Sequence, residues 1–151
     1  MLSPQTLARL EAAVARSEHY HCGEIRVCVE GGLPWSYLWR RALPRERALA
    51  LFGKLGVWNT EQNNGVLIYL LVAERAIEIV ADRGLSQRVD PQAWVAIVEG
   101  LAPDLRSGRH AEGVAKAIHE VDALLQVHFP IHPGDESGFN VNELPNEPVV
   151  L

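Results

Sequence analysis

The chain has 151 residues and a mass of 16.7 kDa, which suits one domain with a short extension. With 48% hydrophobic and 22% charged residues it can bury roughly two-thirds of its unfolded surface unaided, which excludes disordered, fibrous and disulfide-scaffold classes. The net charge of −5 and a pI near 5.7 exclude a dedicated nucleic-acid binder.

Ser3 and Pro4 supply an N-cap hydroxyl and a first-turn proline, and Leu7, Leu10 and Val14 follow at helical spacing, so residues 4–17 are predicted to be an amphipathic helix. Residues 24–30 alternate, with Ile25, Val27 and Val29 on one face and Arg26 and Cys28 on the other, as in a strand that Gly31 and Gly32 end. Residues 33–43 read as irregular but hold Trp35, Tyr37, Trp39, Arg40 and Arg41. Pro44 opens a second helix with Ala48, Leu51, Phe52 and Leu55 inward, stopped by Gly56. The turn-rich loop 58–65 leads into Val66–Val72, a near-continuous apolar strand fit for the middle of a sheet. A tight turn at Ala73 and Glu74 gives a third strand over 75–81. Asp90 and Pro91 cap a helix whose buried side is Trp94, Ile97, Val98 and Leu101, and residues 109–127 form a last long helix.

From residue 131 the chain reads as an acidic, proline-rich tail without regular structure; its apolar end, Val149 to Leu151, is suited to docking. Charge is uneven: residues 1–60 carry eight Lys/Arg and five Asp/Glu, whereas 61–151 carry six and fourteen, giving +3 and −8. Four of the latter acids lie in the tail, which could fold across the basic segment of its own domain. Two cysteines, Cys22 and Cys28, sit about 20 Å apart on an extended segment, too far to bridge, and point to a reducing, cytoplasmic setting. No basic start followed by an apolar stretch suggests a signal peptide, and the longest apolar run is strand-sized, so no transmembrane segment is expected.

The order α-β-α-β-β-α-α predicts a parallel crossover followed by a hairpin: a mixed sheet inside a three-layer α/β/α sandwich spanning residues 1–130. That order puts the start of the first strand (His21, Gly23, Glu24), the start of the second (Asn63, Asn64, Gly65) and the end of the third (Asp82, Arg83, Gly84) at one end of the sheet. The aromatic, basic loop leaves from the opposite end.

Gly23-Glu24-Ile25, Thr60 with Asn64-Gly65-Val66-Leu67-Ile68, Ile79 through Gly84, Trp94 and Phe129-Pro130 together resemble the TPM domain over roughly residues 5–130. A short bacterial branch is the nearest in pattern, through residues 21–25, 57–61 and the tail residues Asn142-Glu143-Leu144-Pro145. The family includes a thylakoid lumen protein of photosystem II repair and bacterial proteins described as phosphatases. The resemblance implies an α/β/α sandwich, an acidic cluster able to hold a metal, and acid phosphatase activity. It also implies an aspartate where this chain has Asn59, so one carboxylate of the expected set is missing.

Glu24 and Asp82 are the candidate catalytic carboxylates. With Asn64 they are also candidate ligands for Ca²⁺ or Mg²⁺, hard cations that take carboxylate and carbonyl oxygens. Thr60, Asn64, Arg83 and His21 are candidate ligand-binding neighbours: Thr60 as a further oxygen, Arg83 as a planar fork for phosphate, His21 as an imidazole. Each has a plainer role. Asp82 could make an Asx turn, Glu24 could pair with Arg83, Asn64 and Gly65 could be turn residues using glycine's positive φ, and His21 could be a hydrogen-bonded, half-exposed histidine. His110, His119, His128 and His132 show no metal-like spacing.

Trp35, Trp39, Arg40 and Arg41 form a candidate interaction surface for anionic lipid headgroups or a protein partner, with tryptophans packed on the neighbouring helix as the plainer alternative. The function expected is a non-catalytic interaction or quality-control module, cytoplasmic and peripheral to a membrane, with an accessory divalent cation. The alternative is a metal-dependent phosphomonoesterase.

Overall fold

A computed structural model describes residues 2–131 and 144–151. The three-layer α/β/α sandwich is present. Its elements are α1 (Pro4–Ser17), β1 (Glu24–Glu30), α2 (Trp35–Trp39), α3 (Pro44–Lys54), β2 (Gly65–Leu71), β3 (Ala76–Ala81), α4 (Arg83–Ser86), α5 (Pro91–Arg106), α6 (His110–His128) and β4 (Val149–Val150). The mixed sheet runs β3-β2-β1-β4, with β1 parallel to β2 and to β4, and β3 antiparallel to β2.

The crossover is parallel because α3 and its flanking turns carry the chain back over one face before β2 begins. Alternation along the strands then divides the core. Ile25, Val27, Val29, Val66, Ile68, Leu70, Ile77 and Ile79 pack beneath α1, α5 and α6. Cys28, Leu67, Tyr69, Leu71 and Val80 pack beneath α3 with Leu33, Ala48 and Leu51. β2 is buried along its whole length, which is why its sequence is apolar without alternation. The caps at Ser3 and Asp90 form as expected, each side chain accepting a backbone N–H.

The structure differs from the sequence expectation in four places. The segment taken as irregular contains the five-residue helix α2, entered through Pro34. The hairpin turn takes Val72–Arg75, with Arg75 at φ 51°, so β3 starts at Ala76. Asp82 N-caps the short helix α4 rather than merely ending a strand.

The fourth difference concerns the chain end, which is more than a tail where it is described. Val149 and Val150 pair with Cys28 and Val29, Leu151 N–H donates to Val29 O at 2.8 Å, and Leu144 is buried in the α3-side core. Arg26 Nη1 holds this return by donating to Pro145 O at 2.7 Å and Glu147 O at 2.8 Å. Two paired residues are too few to show a strand pattern in sequence, and the clamp binds carbonyls, which any residue has. Val149–Leu151 meet the β1 edge, and three of the four tail acids expected to face the basic segment, Asp135, Glu136 and Glu143, lie outside the described residues. His132, Asn142 and Glu143 lie outside the described residues.

Candidate functional site

The amino end of the parallel strands is assembled by the backbone. Glu24 stands opposite Gly65 in the β1–β2 register, its N–H donating to Asn64 O at 3.3 Å. Asp82 N–H donates to Gly65 O at 2.9 Å, and Gly84 N–H to Asn63 O at 2.8 Å. Glu24, Asn64, Gly65 and Asp82, far apart in sequence, therefore sit on three neighbouring strand ends.

Two glycines make this possible, neither through the positive φ expected of the Asn-Gly pair. The residue with positive φ is Asn63, at 52°. Gly65 is required by space, since a Cβ there would run into the carbonyl oxygen of Val57. A Cβ on Gly84 would likewise strike the carbonyl oxygens of Gln62 and Asn63. The loops preceding β2 and following β3 are thus pressed backbone to backbone.

Within this frame Thr60 and Asn64 are buried. Asn64 N–H donates to Thr60 Oγ1 at 3.1 Å, and its Nδ2 donates to Cys22 O at 3.0 Å, tying the loop to the segment before β1. Asn64 Oδ1 is buried without a hydrogen-bond partner. Asp82 Oδ1 accepts the Arg83 backbone N–H at 2.7 Å, whereas Asp82 Oδ2 is buried without a partner. The Arg83 side chain is exposed and makes no ion pair with either carboxylate among the described residues.

Glu24 is fully buried and its neighbour is Glu18, at the C-cap of α1. Burial, then the hydrogen bond to Glu24 and the repulsion of a second carboxylate, push the Glu18 carboxyl up to about 9, against a backbone N–H of Ile25 that works the other way. At neutral pH the Glu18 carboxyl is therefore held protonated, hydrogen-bonded with Glu24. Sequence reading missed Glu18 because its link to Glu24 depends on where α1 meets β1, not on spacing within either element.

His21 is turned away from this group. Its Nδ1 accepts Gly23 N–H at 3.1 Å and its Nε2 lies 3.3 Å from Asp122 Oδ1 on α6, an arrangement that selects the Nε2–H tautomer. Burial lowers His21 to about 4, so the imidazole is neutral at pH 7, and burial raises Asp122. Among the described residues no group of three or more His, Cys, Asp and Glu has metal-binding geometry. Both cysteines are free, and burial pushes Cys28 up to about 12, which leaves an inert thiol.

Trp35, Trp39, Arg40 and Arg41 sit at the other end of β1, about 20 Å along the strand. Trp35 and Trp39 are 75% and 79% exposed, with ring centroids 6.3 Å apart, and Leu38 and Leu43 beside them are also exposed. Tyr37 is the inward residue of α2, with Arg40 and Arg47 over its ring at 4.7 and 5.2 Å. Arg40 also reaches Glu46, at 2.8 Å.

The Glu18–Glu24 pair gives stability a definite pH dependence. A carboxyl raised from 4.5 to about 9 in the folded state contributes fully below pH 4.5, and its contribution declines as pH rises from there to about 9, because the unfolded chain releases the proton first. In urea denaturation followed from roughly pH 5 to about pH 9, Glu18→Gln is expected to lose less stability than the parent; parallel pH profiles would show that the pair holds no proton.

The comparisons with known proteins agree with this architecture. The family model of the TPM domain matches residues 1–124. The solved structure of the BA42 protein from the psychrophilic bacterium Bizionia argentinensis superposes with a TM-score of 0.83 at 25% identity, covering 100% of this chain and 96% of that one. The N-terminal domain of a P. gingivalis protein superposes with a TM-score of 0.65 at 24% identity, over 87% of this chain and 82% of that one, a likeness of fold alone. No curated protein matches the sequence. With more than half of its length matched by the family model, the chain belongs to the TPM-domain family.

Proposed function

We propose that this TPM domain is a non-catalytic docking module whose α2 end meets an anionic membrane surface. The observation that carries this reading is the exposure of Trp35 and Trp39 side by side on a helix whose inward residue, Tyr37, is only partly buried. Two exposed tryptophans with Leu38 and Leu43 form an apolar patch that a free surface seldom tolerates without use. Arg40 and Arg41 flank it, and aromatic rings beside arginines suit the headgroup region of an anionic bilayer, where each cation contributes about 1 kcal/mol. No helix among the described residues is long and apolar enough to cross a membrane, so contact through this patch would be peripheral.

Sedimentation with phosphatidylglycerol-containing vesicles tests the reading. The protein is expected to bind them, to bind neutral phosphatidylcholine vesicles far more weakly, and to lose affinity about tenfold or more with Trp35→Ala and Trp39→Ala combined. Equal binding to both vesicle types, or no effect of the double substitution, would refute membrane docking and return the patch to a protein partner.

A second reading, an accessory divalent-cation site, is favoured by the two partnerless buried oxygens, Asn64 Oδ1 and Asp82 Oδ2, beside Glu24. Ca²⁺ or Mg²⁺ would draw on these oxygens and the loop carbonyls rather than on a cluster of carboxylates. The same ion would neutralise phosphoryl oxygens, so the phosphatase reading stands on it. That reading lacks an imidazole acid at the site, since His21 is engaged with Gly23 and Asp122. Titration with either metal, followed by NMR of the amide groups, is expected to move Glu24, Asn64 and Asp82. Spectra unchanged by both metals would eliminate the site, and turnover of p-nitrophenyl phosphate that depends on added metal would favour the enzyme.

A further inference from the structure

β3 is an edge strand, and where α5 passes over it a groove opens beside Ile79 and Ala81, Ile77 being buried. The bond from Asp82 N–H to Gly65 O fixes the phase of the antiparallel ladder, so Ala76, Glu78 and Val80 direct their backbone groups to β2, and Ile77, Ile79 and Ala81 direct theirs outward. The direction is confirmed at Ile79, whose carbonyl accepts Arg45 Nη1 from α3. A groove of about 430 Å³ runs along this edge. Its α5 side is apolar, made by Trp94, Val95 and Val98, while Arg45 and Glu78 stand on the α3 side, 3.6 Å apart.

Native sheets usually blunt an open edge with charge or cover it. Over Ile79 the cover includes one side chain, Arg45, itself half-exposed and held by one carbonyl and one carboxylate. We infer that this groove accepts an extended peptide as an added strand on β3, with apolar residues toward α5 and basic residues at the positions between. The main-chain groups of Ile79 and Ala81 supply the ladder, and Trp94, Val95 and Val98 receive alternate side chains, the pattern of β-strand addition. Arg45 is the gate: the incoming strand takes its place at Ile79 O, which leaves Glu78 to a basic side chain. Charge selects the occupant, because one arginine against Glu78 and Glu99 gives the lining −1. A second copy of this chain would bring the same negative lining to the same edge, which disfavours self-pairing. The inference is independent of α2 and of any membrane.

The probe is an alternating valine–lysine heptapeptide added to the isotopically labelled full chain. NMR is expected to show shifts at the Ile79 and Ala81 amides and the Trp94 indole. Arg45→Ala, an exposed position, is expected to tighten binding roughly three- to tenfold by freeing the carbonyl, and Val95→Asn to weaken it by a similar factor. Removing the peptide's donors by N-methylation at alternate residues, or replacing lysine with glutamate, is expected to abolish the shifts. No shifts with either the parent or Arg45→Ala would overturn the inference. So would undiminished binding of the methylated or glutamate peptide, or a chain dimeric through β3.

Discussion

The carboxylate of Glu30, buried at the carboxyl end of β1, governs how this molecule is put together on its α3 side. Arg47 meets it with both arms, Nε to Oε1 at 2.9 Å and Nη2 to Oε2 at 2.8 Å, and Tyr69 from β2 donates its hydroxyl to Oε1 at 2.6 Å. Burial alone would raise Glu30, but the hydrogen bonds from Arg47 and Tyr69 outweigh it and hold the carboxyl below its ordinary value. Tyr69 is pushed up by burial and then by the charge it serves. A pair this enclosed is stabilising only while complete, since loss of one partner strands a buried charge at a cost of about 3–5 kcal/mol. Arg47 also lies over Tyr37, which packs against the α3-side core, so the same ion pair that seats α3 on the sheet helps hold α2. Trp35 and Trp39 then have nowhere to go but outward.

The sheet thus separates two kinds of surface along β1. At its amino end, close backbone contacts over Gly65 and Gly84 bring Glu24, Asn64 and Asp82 together, with Glu24 against Glu18 and with Asn64 Oδ1 and Asp82 Oδ2 buried without hydrogen-bond partners. At its carboxyl end, the aromatic rings stay exposed. Large apolar groups left exposed suit a surface that recruits a partner.

Much of this was legible in the sequence. The alternation of Ile25, Val27 and Val29, the unbroken run of β2, and the caps at Ser3 and Asp90 follow from local rules, and the order of elements fixes which strand ends meet. The rest depends on partners remote in sequence. Nothing local marks Glu18 as the neighbour of Glu24, Glu30 as the acceptor for Arg47 and Tyr69, or Arg26 as the clamp on Pro145 and Glu147. The Asn64–Gly65 pair illustrates the difference: a turn was the natural expectation from composition, whereas the glycine answers to the carbonyl of Val57, a contact visible only in three dimensions. α2 escaped notice because five residues carry too little periodicity to register.

The docking account rests on the outward rings of α2 and is tested most directly by tryptophan fluorescence. Trp58 and Trp94 are replaced by phenylalanine so that Trp35 and Trp39 alone report, and the protein is mixed with anionic vesicles carrying brominated acyl chains. The account predicts a blue-shifted emission quenched by the bromines, as both rings enter the headgroup boundary. Emission that keeps its position and intensity on vesicle addition would contradict it.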